Sequence, residues 1–179
     1  KAHIVGHSMG SLTALHVGIR HPQRCISMTA ADCGYGSSGD KKVVEETRAA
    51  SRETGKMFAS TDIKTAAARY ADGSTRQAHK NKDPRGYAEF VRILSEHSAQ
   101  GHANTIRGVQ MRRPPLQGMK AAFSRHKPPT LAMVGDEDES SLATGLFLKR
   151  VSPAVRLAIV PATLAWQAAA FVVFRFFDI

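Results

Sequence analysis

Apolar positions along this chain fall into two rhythms. Ala2 to Val5 is a short apolar run broken by one histidine, the pattern of a buried strand. Leu12, Leu15 and Ile19 then recur at helical spacing, with Ala14 and Val17 beside them, and His21-Pro22 closes the helix. Cys25 to Ala31 reads as a second strand, and Asp32 to Gly39 as a glycine-rich loop. Strand, helix and strand over about thirty residues make a βαβ unit with a right-handed crossover.

After Gly39 the texture changes. The chain becomes rich in Ala, Arg, Lys, Glu and His, and mixed-charge helices are predicted over Val43 to Phe58 and Ile63 to Tyr70. Asp83-Pro84 marks a further helix start, followed by Tyr87, Phe90, Val91 and Leu94 on one helical face. Thr105 to Met111 continues helically until Pro114-Pro115 stops it. Past Pro128-Pro129 the first texture returns. Thr130 to Val134 is a strand ending at Gly135, Leu142 to Arg150 is an amphipathic helix, and Val155 to Val160 is another strand. The expected class is α/β, a mostly parallel sheet flanked by helices. Its parts are a βαβ core over 1–39, a helical insertion over 40–127 and a continuation of the core over 128–179.

Composition narrows the function classes. The 179 residues are 42% hydrophobic and 22% charged, enough for a sizeable core. The net charge is +10, yet the cations are scattered and the densest clusters, Lys41-Lys42 and Arg112-Arg113, are only pairs. With no finger, RNP or basic-helix pattern, this reads as a solvated basic surface, and no nucleic-acid partner is expected. Cys25 and Cys33 have no metal or redox spacing. Reduced thiols in a cytoplasmic protein account for them, and no metal is expected. Leu157 to Phe177 is apolar and long enough to span a membrane, but its first residues complete a strand. Pro161, Gln167 and Arg175 also interrupt it, so no membrane association is expected. A start at Lys1 almost directly in a strand, and an apolar finish at Phe176-Phe177-Asp178-Ile179, suggest a piece of a longer protein.

The chemistry concentrates at Gly6-His7-Ser8-Met9-Gly10, a G-x-S-x-G pattern between a strand and a helix. In that context it describes a nucleophile elbow, a turn so tight that Ser8 takes a positive φ and its hydroxyl stands above the sheet. Side chains at Gly6 and Gly10 would then collide with the neighbouring strand and helix. Ser8 is the candidate nucleophile and needs an adjacent base. The Met9 N–H, at a helix start, can donate to a developing oxyanion with help from the helix dipole.

With these residues on the page, the chain resembles the α/β-hydrolase family, in particular its lid-bearing esterase, lactonase and haloperoxidase-like members. The resemblance rests on Gly6 to Gly10, on His21-Pro22 closing the helix, and on Thr130-Leu-Ala-Met-Val-Gly-Asp-Glu-Asp138. It implies that the strands are the family's fifth to eighth, so that four earlier strands and one oxyanion amide would lie upstream of Lys1. The elbow strand would then be a sheet edge with unpaired backbone groups, and the chain would tend to aggregate. The insertion becomes a helical lid over the active site, with Phe58, Tyr87 and Phe90 as an apolar pocket wall.

The resemblance selects Asp138, the third residue after Gly135, as the acid. Asp136 and Glu137 would cap the following helix or face solvent, and Asp32 is the alternative acid. The base is where the pattern departs. A histidine should follow the last strand, but the chain reads Pro161-Ala-Thr-Leu-Ala-Trp-Gln, and all eight histidines come earlier. His7 and His16 pack locally or point away, while His79, His97, His102 and His126 fall in the lid. No base is identified, and the chain diverges after Pro161 as if its reading frame had shifted.

The expected function is therefore serine hydrolysis of an ester, lactone or related acyl bond of a small molecule, without a cofactor and with impaired activity. A non-catalytic binding or scaffold remnant of a hydrolase is the alternative. A basic membrane-tethered or nucleic-acid-binding protein is the weaker one.

Overall fold

Short apolar runs separated by helices can pair in parallel only through crossovers, and this chain does so in sequence order. The computed structural model describes residues 1–34 and 36–161. The divergence after Pro161 and most of the apolar stretch 157–177 lie outside the described residues. Four strands, β1 (Ala2–His7), β2 (Cys25–Ala31), β3 (Thr130–Gly135) and β4 (Val155–Val160), form one sheet in the order β1-β2-β3-β4. All three pairings are parallel, which confirms the α/β class. Helix α1 (Met9–Arg20) joins β1 to β2, and α8 (Glu139–Val151) joins β3 to β4.

Between β2 and β3 lie α2 (Lys41–Ser60), α3 (Ile63–Ala71), α4 (Gln77–Lys82), α5 (Pro84–Ser95), α6 (Ala99–Thr105) and α7 (Lys120–Ser124). A π-helical turn over Ile106–Gln110 continues α6. The chain divides into two compact units, one built from Lys1–Asp40 and the chain from Pro114 onward, the other from Lys41–Arg113. The helical unit thus ends well before residue 127. Pro114-Pro115 stops the helical run, and the next segment turns its apolar residues, Leu116 and Phe123, into the core of the sheet unit.

That core lies on one face of the sheet. Strand residues of one parity, Ile4, Met28, Ala30 and Ala132, pack with Leu12 and Leu15 of α1 and Leu148 of α8. Sequential parallel strands with right-handed crossovers put successive helices on the same side. Of the other parity, Val5, Thr29, Leu131 and Ala158 are half-buried, while Ala31 and Met133 near the C-terminal edge are buried. His3 lies on that side too, its Nδ1 2.7 Å from Ser27 Oγ on the neighbouring strand.

The helical unit has its own apolar centre of Phe58, Ala66, Ala103 and Ile106. Its helices start where local side chains satisfy orphan amides. Asp62, Asp83 and Ser98 accept from Thr65, Gly86 and Gly101 N–H at 3.0, 2.8 and 3.1 Å. Pro84 occupies the first turn of α5 as the sequence predicts. Phe58 is 2% exposed, and His102 stacks on it at 4.7 Å. This buries it inside the unit, so it is not an open pocket wall.

His126, grouped with the insertion by sequence, belongs to the sheet unit and is 4% exposed. The Thr130 hydroxyl donates to the Pro128 carbonyl at 2.9 Å, so its oxygen accepts from His126 Nε2–H at 2.8 Å. Nδ1 is then bare and buried, with no hydrogen-bond partner. Burial holds His126 below the usual histidine value, against a smaller opposing pull from the Pro128 carbonyl. His16 is lowered too, first by burial and then by Arg20.

A histidine held low in the folded chain takes its proton more readily when unfolded. Its contribution to stability is complete above the unfolded value of about 6.5, begins to be lost below it, and is gone once pH has fallen through the lower folded value. The melting temperature of the chain is expected to drop between pH 7.5 and 5.5. His126→Gln should make that drop shallower, and an unchanged slope would assign it to other groups.

Candidate active site

Parallel strands point their C-terminal ends to one edge of a sheet, and loops gather there. The residues after β1, β2 and β3 on that edge are Ser8, Asp32 and the turn Asp136–Asp138. Ser8 has φ 52° and ψ −113°, so the sharp turn expected from the sequence is present. Its backbone N–H donates to the Ala31 carbonyl at 2.9 Å, one step beyond the last β1-β2 register pair, His7 with Ala31. A left-handed serine costs about 1–3 kcal/mol, and it persists because the flanking strand and helix over-determine it.

Helix α1 begins at the next residue. The Ser8 carbonyl accepts from Ser11 N–H at 3.1 Å, from Leu12 N–H at 3.4 Å and from the Ser11 hydroxyl. The Ser8 side chain makes no capping bond and is exposed. Met9 stands in the first turn, where a backbone N–H has no acceptor within the helix, and no acidic residue occupies that turn. The positive end of α1 is therefore open to an anion.

Gly6 is required by space. A Cβ there would overlap the Gly10 carbonyl and come 2.6 Å from Ser11 N. Gly10 is different: a Cβ there meets nothing within 4 Å of it. The expected collision at Gly10 is therefore not found among the described residues, because the crowding runs from the strand toward the helix backbone only.

Asp138 follows β3, whose end lies two strands, about 10 Å at about 4.8 Å per strand, from the end of β1. It is the N-cap of α8. Its carboxylate accepts from Ser141 N–H at 3.1 Å, Ser141 Oγ at 2.6 Å and Ser140 Oγ at 3.1 Å. The cap therefore falls to Asp138 itself, and Asp136 and Glu137 are both exposed beside it.

No described histidine hydrogen-bonds the Ser8 hydroxyl. His3 and His126 bond Ser27 and Thr130, and His97 and His102 face each other at 3.2 Å in the helical unit. His21 is the C-cap of α1. His7 turns to Asp32, its Nε2 3.4 Å from Asp32 Oδ2. The strain at Asp32, φ 48°, was not legible in the sequence, since aspartate follows strands without special geometry far more often than with it.

A cavity of about 560 Å³ is lined by Gln117, Lys120, Phe147 and Arg150 among others. It runs along α8 from Ala143 to Val151 and contains none of the candidate residues. Among the described residues no group of three or more His, Cys, Asp or Glu could hold a metal, and no helix is long and apolar enough to cross a membrane. Cys25 and Cys33 are buried and form no disulfide among the described residues.

The steric asymmetry of the elbow is testable. Gly6→Ala should lower stability by about 1–3 kcal/mol or more, as overpacking against backbone does. Gly10→Ala, in an open helical position, should be neutral or stabilise by up to about 1 kcal/mol. Urea midpoints for the two variants that fell in the reverse order would contradict the geometry.

No family model matches the chain, and no curated protein matches it significantly. Solved structures do. MenH from S. aureus superposes with a TM-score of 0.82 at 15% identity, over 97% of this chain and 66% of that one. The enol-lactonase from Burkholderia xenovorans gives 0.71 at 17% identity, over 99% and 65%. An alpha/beta hydrolase enzyme from a deep-sea metagenome library gives 0.68 at 17% identity, over 100% and 66%. The chain thus spans just under two thirds of the length of these structures, and across that span it has the α/β-hydrolase fold.

Proposed function

We propose that Ser8 is the nucleophile of an acyl-transfer site acting on an ester, lactone or related bond of a small molecule. The observation that carries this reading is the left-handed, exposed serine between β1 and α1 at the C-terminal edge of a parallel sheet. Such a hydroxyl can approach a substrate carbonyl without rearrangement of the backbone. As Ser8 Oγ adds to the carbonyl carbon, negative charge develops on the carbonyl oxygen. The Met9 N–H and the positive end of α1 favour that charge.

Asp138 is the proposed acid, whose part would be to orient and stabilise a protonated imidazole. The roughly 10 Å between the two strand ends leaves room for an imidazole ring. Among the described residues no histidine bonds Ser8, so proton removal from the hydroxyl is the weak step. The connection of the helical unit between β2 and β3 supports its part as a lid. Two buried cysteines that form no disulfide among the described residues are consistent with a reducing, cytoplasmic setting.

A second reading is a hydrolase-like binding or scaffold module, favoured by the absence of a histidine on Ser8 among the described residues. Labelling with a serine-directed fluorophosphonate separates the two. The nucleophile reading expects slow labelling that Ser8→Ala abolishes, with very low turnover of p-nitrophenyl esters. Absence of label on the folded chain, or label that survives Ser8→Ala, would favour the binding module.

A further inference from the structure

Two non-glycine residues among those described have positive φ, Ser8 and Asp32. They occupy equivalent places. His7 and Ala31 are the last register pair of β1 and β2, and Ser8 and Asp32 are the residues that follow each of them. Strain of this kind persists only where contacts hold it, and at Asp32 the contacts are visible. Its backbone N–H donates to the Met133 carbonyl of β3 at 2.9 Å. Its Oδ1 accepts from Gly135 N–H at 3.2 Å. Its Oδ2 faces His7 Nε2 at 3.4 Å. The Asp32 side chain is 13% exposed and that of His7 is 28% exposed, so both bonds are sheltered from competing water.

One carboxylate thus holds three strand ends. On one side it holds the residue that precedes Ser8. On the other it holds the glycine at which the Asp136–Asp138 turn begins. Both oxygens are engaged, one toward each neighbouring strand.

We propose that Asp32 is a positioning residue that sets the elbow and the acid turn at a fixed separation. The proposal rests on the reading of Ser8 as nucleophile. Asp32 touches neither a reacting atom nor Ser8 Oγ. It acts through His7 on the elbow and through Gly135 on the turn that carries Asp138. Without it, Ser8 keeps its bond to the Ala31 carbonyl, but the ends of β1 and β3 are joined only through β2. A displacement of about 1 Å at a reacting group can cost on the order of a hundredfold in rate.

The test compares Asp32→Ala, Asp32→Asn and Leu148→Ala on the full chain. Leu148 is a core residue of the same unit, away from the site, and controls for lost stability. Two quantities are measured well below each variant's melting temperature: the rate of fluorophosphonate labelling at Ser8, and hydrogen exchange at the Gly135 amide. Asp32→Ala should slow labelling about ten- to a hundredfold and speed Gly135 exchange. Asp32→Asn retains an acceptor for Gly135 and should recover most of both. Leu148→Ala should leave the labelling rate of the folded protein near that of the parent.

Labelling by Asp32→Ala at the parent rate, or slowing matched by Leu148→Ala, would overturn the positioning role while leaving Ser8 as nucleophile. A parent chain not labelled at Ser8 would instead overturn the nucleophile reading, and the positioning role with it.

Discussion

A helix that starts one residue after a strand has to reverse the chain without room for a loop, and the steric cost of that reversal organises this site. The turn closes because Gly6 has no Cβ to meet the Gly10 carbonyl. It stays closed because Ser8 N–H continues the β1-β2 ladder onto Ala31. Everything nearby follows from the closure. Helix α1 is laid directly against the sheet, where Leu12 and Leu15 enter the core. Its N-terminus is left pointing along the C-terminal edge, and the serine hydroxyl is left outside the helix. A longer turn would satisfy the backbone equally well but would move both the helix dipole and the hydroxyl off the edge.

The same edge shows how a parallel sheet assembles one site from segments far apart in sequence. Ser8, Asp32 and Asp138 are each the product of a separate strand ending. Parallel pairing aligns those endings at regular spacing, and Asp32 then ties them laterally through His7 and Gly135. The helical unit is organised differently. It is held by apolar contacts around Phe58 and by Arg76, whose guanidinium lies over the rings of Tyr70 and Phe90 at 5.5 and 5.7 Å. That self-sufficiency explains why its amino-acid texture differs so sharply from the flanking segments: its helices bury a narrow stripe, whereas the strands of the sheet are apolar runs.

Elements that depend on local chemistry were legible from the chain alone. Cys25–Ala31 and Val155–Val160 form strands over the spans their apolar runs predict, and Asp83-Pro84 starts a helix because capping and fixed φ are properties of those two residues. The short helix Gln77–Lys82 was not legible, since its six residues carry no apolar period. Nor was the end of the helical unit: Pro114-Pro115 signals a stop, but only packing shows that Leu116, Phe123 and His126 turn back into the sheet's core.

At the site the division is similar. The G-x-S-x-G pattern between a strand and a helix pointed to the sharp turn and the positive φ of Ser8, because so short a connection has to reverse within one residue. Asp138 was singled out only by the family resemblance, and its capping of α8 came from the structure. The openness at Gly10, the burial of His126 with one bare nitrogen, and the strain at Asp32 were decided by tertiary structure. Each depends on which atoms from distant segments arrive at the same place. A left-handed aspartate is stable here only because β1 and β3 bring His7 and Gly135 to its two oxygens, and the order of residues around Asp32 carries no trace of either neighbour.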